Sequence, residues 1–240
     1  MDYRYTGIVL KKRKVGETDR LYTFYTREAG KIQTVAKGVR KPEAKLASSL
    51  ETLSESEIMV VRTRGTGKVA GAILENSFAE LRSDYATLAS VLEAVRKFDE
   101  LVDLEEADEK LYQLLRSFLS TVNAAVRAKK SDKVPLITET FFFQFLNHLG
   151  YQLELTHCVV TGEKLEKGEH FGVSPSAGGV VCENGMREAG DATPMNENAV
   201  KLLRLFSTQP IEKIEKLSIE PKDLAQISRF RKVFLQWVKH

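Results

Sequence analysis

The sequence predicts an α+β protein in which a strand-rich first third precedes a helical remainder. Through about residue 79, short runs of β-branched and aromatic residues are separated by turns that contain Gly, Asp or Glu. After Ser83 the apolar residues recur with the period of a helix instead of the period of a strand. The 240 residues, 42% hydrophobic and 29% charged, are enough for one or two globular domains.

Five strands are predicted in the first domain, at residues 3–12, 21–26, 31–37, 57–63 and 68–76. Glycines occupy the turns between them, including Gly16, Gly30 and Gly65, because glycine adopts positive φ at little cost. An open sheet of five strands would leave two unpaired edges, whereas a closed barrel leaves none. We therefore expect an OB-fold barrel at residues 1–80.

The second domain, predicted at residues 81–240, is mainly helical. Tyr85, Leu88, Leu92 and Val95 form one apolar stripe, and residues 111–122 contain another. The phenylalanine-rich residues 141–146 are apolar nearly all round and precede Gly150, which predicts a buried helix with a glycine cap. Helices are also predicted at residues 196–206 and 221–238, whereas residues 151–191 form an irregular insertion.

The insertion is similar to a degenerate zinc ribbon. A ribbon binds Zn²⁺ in a tetrahedron of four ligands, which two C-x-x-C pairs supply. Cys158 and Cys182 stand at the first position of each pair, but Thr161 and Gly185 occupy the second positions. The adjacent His157 is a poor replacement, since neighbouring residues rarely chelate one ion. We expect a metal-free hairpin and no cofactor. The residues expected to pack its core are Phe171, Val173, Val180 and Val181.

Basic residues are concentrated in the first domain. Residues 1–80 hold 15 Lys and Arg against 10 Asp and Glu, and residues 11–45 hold 11 against 4, whereas the other 160 residues hold 21 against 23. A local positive field of this kind suits a polyanion such as DNA. The residues predicted to contact DNA are Lys11, Lys12, Arg13, Lys14, Arg20, Lys31, Lys37, Arg40 and Lys41, with Arg27 and Lys45 nearby.

Aromatic residues alternate with the basic ones in the same strands. Single-strand binders combine a positive groove with aromatic faces on which bases stack. Strand alternation places Tyr22 and Phe24 on one face and Tyr25 on the other, so only part of the set, which includes Tyr3 and Tyr5, can stack on bases. A basic helix of the major-groove type is missing, which predicts binding without sequence preference.

Catalysis is not predicted. Glu17 and Asp19 could form a carboxylate pair for metal-assisted nuclease chemistry, but the favoured interpretation is that they are polar residues of a hairpin turn that pair with Lys14 or Arg20. Gly65-Thr66-Gly67-Lys68 lacks the spacing of a phosphate loop. No apolar run is long enough to span a bilayer, and two cysteines suit a reducing compartment, so we expect a cytoplasmic protein without a membrane partner.

The N-terminal motifs resemble those of the RecO family. The matching motifs are Gly7-Ile8-Val9-Leu10, Gly16-Glu17-x-Asp19-Arg20, Phe24-x-Thr26, Gly30-Lys31 and Ala36-Lys37-Gly38-Val39-Arg40. The helical region, the segment Leu149-Gly150-Tyr151 and the insertion that begins at Cys158 follow in the family's order. The resemblance implies an OB-fold followed by a helical domain with a zinc ribbon that is often degenerate.

The resemblance also implies a mediator of recombinational DNA repair. Such a protein binds single- and double-stranded DNA, anneals complementary strands, contacts the acidic tail of single-stranded DNA-binding protein, and joins RecR to help load RecA. A hydrophobic groove near Arg127, Lys129 and Lys130 is a candidate site for that tail. A protein adaptor with a structural barrel and an RNA-binding OB protein are the alternatives, which salt dependence and a preference for RNA would distinguish.

Overall fold

The computed structural model describes residues 1–41, 46–62, 66–165 and 170–239 and divides the chain into two compact units, Met1–Lys129 and Lys130–His240. The strands of the first unit end at Asn76, close to the domain boundary predicted near residue 80, but two further helices belong to the same compact unit. None of the described helices is long and apolar enough to cross a membrane.

The first unit begins with a closed five-stranded barrel of the OB type. Its strands are β1 (Asp2–Val15), β2 (Asp19–Thr26), β3 (Gly30–Ala36), β4 (Glu55–Val61) and β5 (Gly67–Asn76), in the order β1-β2-β3-β5-β4. All neighbours are antiparallel except β3 and β5, which close the barrel through a short parallel pair. The predicted fold class and all five predicted strands are confirmed, with ends that differ by a few residues.

Alternation along the strands fills the barrel. Val9 pairs with Phe24, and Phe24 pairs with Ile32, so these three side chains share the interior face, where all are buried. Ile58 and Val60 of β4 complete the same apolar cluster. The opposite face of β2 is covered as well, because Tyr25 meets Phe98 of the following helix edge-on with ring centroids 4.9 Å apart.

Helices α1 (Tyr85–Leu101) and α2 (Glu109–Arg127) follow the barrel. Asp84 and Asp108 cap them, each accepting a hydrogen bond from a backbone N–H three residues later. The apolar stripe predicted for α2 is buried, apart from the half-buried Leu114.

The stripe predicted for α1 is right at Val95 and wrong at Tyr85 and Leu92. Tyr85 is 86% exposed and Leu92 is 38% exposed, whereas Val91 and Phe98 are fully buried. Successive residues of an α-helix are rotated by about 100°, so Leu92 points away from the side that Val91 occupies. The buried face of α1 therefore runs through Val91, Ala94, Val95 and Phe98.

The second unit is built around α3 (Val134–His148), with α5 (Glu197–Thr208), α6 (Ile211–Ile214) and α7 (Pro221–Trp237) packed on it. The ring of Phe143 lies 6.1 to 6.4 Å from the rings of Phe206, Phe230 and Phe234. The chain leaves α3 through Gly150 at φ +94°, the positive angle that the predicted glycine cap requires.

The insertion holds a small antiparallel sheet and a short helix. Strands β6 (Phe171–Ser174), β7 (Gly179–Val181) and β8 (Thr193–Met195) are ordered β7-β6-β8, and α4 (Glu183–Ala189) follows β7. Val173 pairs with Val180, and both are buried, so the predicted hairpin is present. The sequence did not predict β8 or α4, because elements this short give no measurable period.

Candidate nucleic-acid interface

Two turns with RecO-like motifs are bonded to each other at one end of the barrel. The Gly38 N–H donates to the Asp19 carboxylate at 2.8 Å, and the Arg40 N–H donates to the Thr18 carbonyl at 3.0 Å. The Arg40 guanidinium donates to the Glu17 carbonyl at 2.6 Å. Motifs about 20 residues apart in the chain are thus held side by side as one structure.

Strand register brings basic side chains to the same end of the barrel. Lys14 of β1 pairs with Arg20 of β2, Arg20 pairs with Ala36 of β3, and Lys37 follows immediately. We call this set the basic turn surface. It consists of Arg13, Lys14, Arg20, Lys37, Arg40 and Lys41.

Most of the basic turn surface is available to a ligand. Arg13, Lys14, Lys37 and Lys41 are exposed, and none of the four forms an ion pair with a described residue. Arg20 is half-buried, and Arg40 is exposed although its guanidinium also donates to the Glu17 carbonyl. Cations without an ion partner, at strand ends and in hydrogen-bonded turns, suit sequence-independent contacts to phosphates.

The other three predicted DNA contacts have acidic partners within the first unit. Lys11 and Lys31 both contact Asp99 of α1, which is 91% buried on its side chain, and Lys31 also donates to the Asp99 carbonyl at 2.8 Å. Lys12 pairs with Glu51 at 2.5 Å. These lysines fasten α1 and the segment after β3 to the barrel, so DNA would have to compete with those contacts. These ion pairs could not be predicted from the sequence, because Asp99 lies 88 residues from Lys11 in the chain.

The aromatic residues of β2 cannot stack on bases. Tyr22, Phe24 and Tyr25 have no exposed surface. Burial raises the pKa of the Tyr25 hydroxyl, and nearby Asp108 and Glu106 raise it further. Only Tyr3 and Tyr5 remain half-buried, and their rings stack on each other with centroids 5.9 Å apart.

The Asp19 carboxylate is bound by the turn that follows β3. The Gly38 N–H, which donates to Asp19, is the main cause of a lowered Asp19 pKa, and the hydroxyl of Thr18 and the charges of Lys37 and Lys41 act in the same direction against desolvation. Asp19 therefore joins the two turns, and the expectation that it pairs with Lys14 or Arg20 is wrong. Lys45, Arg64 and Gly65 lie outside the described residues.

The insertion brings the four ribbon positions together without four ligands. The Thr161 N–H donates to the Cys158 sulfur at 3.5 Å, and the Thr161 hydroxyl lies 3.8 Å from the Cys182 sulfur. A Cβ on Gly185 would lie 3.1 Å from the Cys158 sulfur. Two thiols are too few donors for a structural zinc site, and no group of three or more metal-ligating residues occurs within the described ranges. The residues therefore do not fit zinc.

The second unit carries a basic face that the sequence analysis missed, and an apolar groove whose lining differs from the predicted residues Arg127, Lys129 and Lys130. Along α7, Lys222, Arg229 and Lys232 share an exposed face, and the half-exposed Trp237 lies near its end. The sequence contains a signal for this basic face, because no acidic residue follows Asp223.

Between the starts of α3 and α7 lies an apolar groove of about 450 Å³. Its lining is Asp132, Lys133, Pro135, Leu136, Ile219, Pro221, Leu224, Ala225 and Ser228.

Comparison with known proteins identifies relatives of both units. Models described as recombination protein O N terminal and C terminal match residues 1–78 and 82–238. The DNA repair protein RecO of Dehalococcoides mccartyi is 30% identical over 226 residues, which are 94% of this chain and 86% of that protein. The DNA repair protein RecO of Roseiflexus sp. is 28% identical over 236 residues, 98% and 81% of the two chains. The Listeria monocytogenes protein of the same name is 26% identical over 217 residues, which are 90% of this chain and 81% of that protein.

Proposed function

The chain belongs to the RecO family of DNA repair proteins, and we propose that it is a recombination mediator that works by binding instead of by catalysis. It would bind single- and double-stranded DNA without sequence preference, anneal complementary strands, and help load the recombinase on DNA that single-stranded DNA-binding protein covers. Its place of action would be the nucleoid in the cytoplasm. The two family models confirm the resemblance to RecO, one over residues 1–78 and the other over residues 82–238.

The observation that supports DNA binding best is the basic turn surface. Four of its six members are exposed, and their side chains form no hydrogen bond or ion pair with a described residue, while bonded turns hold their backbone in place. Cations fixed at a strand end release counterions from a phosphate backbone, which is the main source of sequence-independent affinity. The proposal keeps three further DNA contacts, at Lys11, Lys12 and Lys31. Each of these lysines would have to give up its acidic partner in order to contact a phosphate.

The annealing proposal needs a second strand close to the first. The exposed face of α7 supplies a second basic surface, where Arg229 and Lys232 have no ion pair to a described residue. Two cationic surfaces on one molecule would lower the repulsion between two phosphate backbones while leaving base edges free to pair. The half-exposed Trp237 adds an aromatic face of the kind on which bases stack.

For the acidic tail of single-stranded DNA-binding protein we propose the groove between α3 and α7. Six of its nine lining residues are apolar, and Lys133 supplies a cation at its edge, three residues after Lys130. An amphipathic acidic peptide binds where apolar pockets adjoin a positive charge. RecR is the other proposed protein partner, on the strength of the family resemblance.

Salt-dependent DNA binding tests the proposal. The test variant carries Arg13→Ala, Lys14→Ala, Lys37→Ala and Lys41→Ala, and a matched control carries Lys110→Ala, Lys201→Ala, Lys213→Ala and Lys216→Ala, four exposed lysines outside both basic surfaces. Binding of a fluorescent single strand is measured across a salt series. Each lost phosphate contact removes about 0.7 from the log–log slope, so we expect the test variant to lose about 2 to 3 and the control to match the parent.

The outcomes separate the proposed function from its alternatives. Equal slopes in the test variant and the parent would move the DNA site away from the basic turn surface. A parent protein without salt-dependent binding would favour the adaptor. Stronger binding to RNA than to DNA of the same sequence would favour an RNA-binding OB protein, because the 2′-hydroxyl is the group that distinguishes the two.

A further inference from the structure

The two cysteines of the chain meet inside the insertion. Cys158 is 1% exposed and Cys182 is 7% exposed, and both are free thiols. The Cys182 N–H donates to the Cys158 sulfur at 3.2 Å, and the two cysteines belong to one buried apolar cluster with Val181. Thr161 contacts both sulfurs. Two free thiols thus share one buried cluster, in a site whose residues do not fit zinc, which raises the question of what chemistry the pair performs.

The backbone around the thiols holds them at short range. The Val159 N–H donates to the Val180 carbonyl at 2.9 Å, so the segments that carry the two cysteines run side by side. The Gly162 N–H donates to the Cys158 carbonyl at 2.8 Å, and the Met186 N–H donates to the Cys182 carbonyl at 3.0 Å, which fixes each cysteine within its own turn. A disulfide requires such proximity, because its Cβ atoms are only about 3.5 to 4.5 Å apart.

We propose that Cys158 and Cys182 form a reversible intramolecular disulfide when the protein meets a hydroperoxide. The bond would join the turn after residue 157 to the junction between β7 and α4. In a zinc ribbon, the metal ion joins the corresponding two segments. The inference does not depend on DNA binding, since all the residues that carry it lie in the insertion.

The chemistry consumes one hydroperoxide per disulfide. The Cys182 thiolate, the more exposed of the two, attacks the peroxide oxygen; the O–O bond breaks, the sulfur becomes a sulfenic acid, and hydroxide or alkoxide leaves. The Cys158 thiolate, which accepts N–H bonds from Thr161 and Cys182, then attacks the Cys182 sulfur and expels hydroxide. The thiol pair loses two electrons and two protons, and the peroxide is reduced to two molecules of water or to water and an alcohol.

The test treats the folded full chain with a graded series of hydrogen peroxide, then denatures it and alkylates the remaining thiols. Because the chain holds only two cysteines, every lost thiol belongs to this pair. We expect both thiols to disappear together, the mass to fall by two hydrogens per monomer, and dithiothreitol to restore both. Persistent thiols, products that gain oxygen, or disulfides between chains would overturn the proposal.

Two single variants test whether the bond lies within the chain. Cys158→Ser and Cys182→Ser each leave one thiol, so neither should lose two hydrogens, and oxidation should raise the thermal midpoint of the parent but of neither variant. An equal rise in the variants would contradict the cross-link. The salt slope of DNA binding should not change on oxidation in any of the three proteins, so a failure here and a failure of the DNA proposal are distinguishable.

Discussion

Gly30 has two reasons to be glycine, and they can be measured separately. It adopts φ +62°, and a Cβ built on it would lie 1.8 Å from the carbonyl oxygen of Glu106. Gly16 adopts the same φ, but a Cβ there would meet nothing within 4 Å. The two glycines therefore form a matched pair. Gly16 is required only for its positive φ, whereas Gly30 is required both for its positive φ and for the close approach of the Glu106 backbone.

We predict different costs for Gly30→Ala and Gly16→Ala. Gly16→Ala should lower the free energy of unfolding by about 1 to 2 kcal/mol, the cost of a left-handed residue with a side chain. Gly30→Ala should lower it by about 2 to 5 kcal/mol, since the segment at Glu106 must also move. Urea unfolding of both variants measures the difference. Equal losses would mean that the contact with Glu106 is not held in solution.

Asp19 predicts a pH dependence of stability. Its pKa is lowered in the folded chain, chiefly by the Gly38 N–H, so its ionised form stabilises the fold. That contribution is complete above the unfolded value of about 3.9 and is lost as the pH falls through the lower folded pKa. Asp19→Asn removes the charge but keeps an acceptor. We expect its thermal midpoint to lie below that of the parent near neutral pH and to approach it below about pH 4. A gap that does not change with pH would contradict this role.

Among the elements, those with a strong period were predictable and those held by distant partners were not. Strand β3 alternates buried and half-buried residues, and α2 buries one helical stripe, because one face of each is covered along its length. In α1 only part of the helix is covered, so Tyr85 and Leu92 satisfy the pattern without being buried. The site shows the same limit. Charge density located the basic turn surface, but only the fold reveals that Asp99 engages Lys11 and Lys31.

The contact between α3 and α7 contains a buried ion pair. Glu139 accepts hydrogen bonds from the Arg231 guanidinium at 2.8 Å and the Ser228 hydroxyl at 2.7 Å, and the guanidinium lies 4.4 Å from the centre of the Phe142 ring. Both charged side chains are about nine-tenths buried or more. Removing one partner would leave the other charge without compensation in the core of the second unit.

We predict that Glu139→Ala lowers the free energy of unfolding by about 3 to 5 kcal/mol, because it strands the Arg231 charge. Replacing both partners, as Glu139→Leu with Arg231→Met, should cost much less, since apolar side chains of similar volume avoid the desolvation of either ion. Urea unfolding of the single and double variants measures both. A double variant that is no more stable than Glu139→Ala would show that the hydrogen bonds to Ser228 and Arg231 matter more than the buried charge.

Over the whole molecule, a net charge of +3 conceals two basic surfaces, one in each compact unit. The basic turn surface arises from strand register, whereas the α7 surface arises from a helix whose acidic residues end at Asp223. Under the proposed function, one such surface would be enough to bind a strand. Annealing brings two DNA strands together, so its rate should depend on both basic surfaces. The affinity for a single strand should depend on one of them only.

This difference gives the last prediction. Arg229→Ala with Lys232→Ala should slow annealing of two complementary fluorescent strands by about tenfold at low salt, because steering by a local positive field is worth at least that factor. Affinity for one strand at the barrel should change little. The control Lys213→Ala with Lys216→Ala removes the same charge from the same unit and should anneal at the parent's rate. If the α7 variant also anneals at the parent's rate, the second strand is held elsewhere, and if it loses single-strand affinity in proportion, the two surfaces bind one strand together.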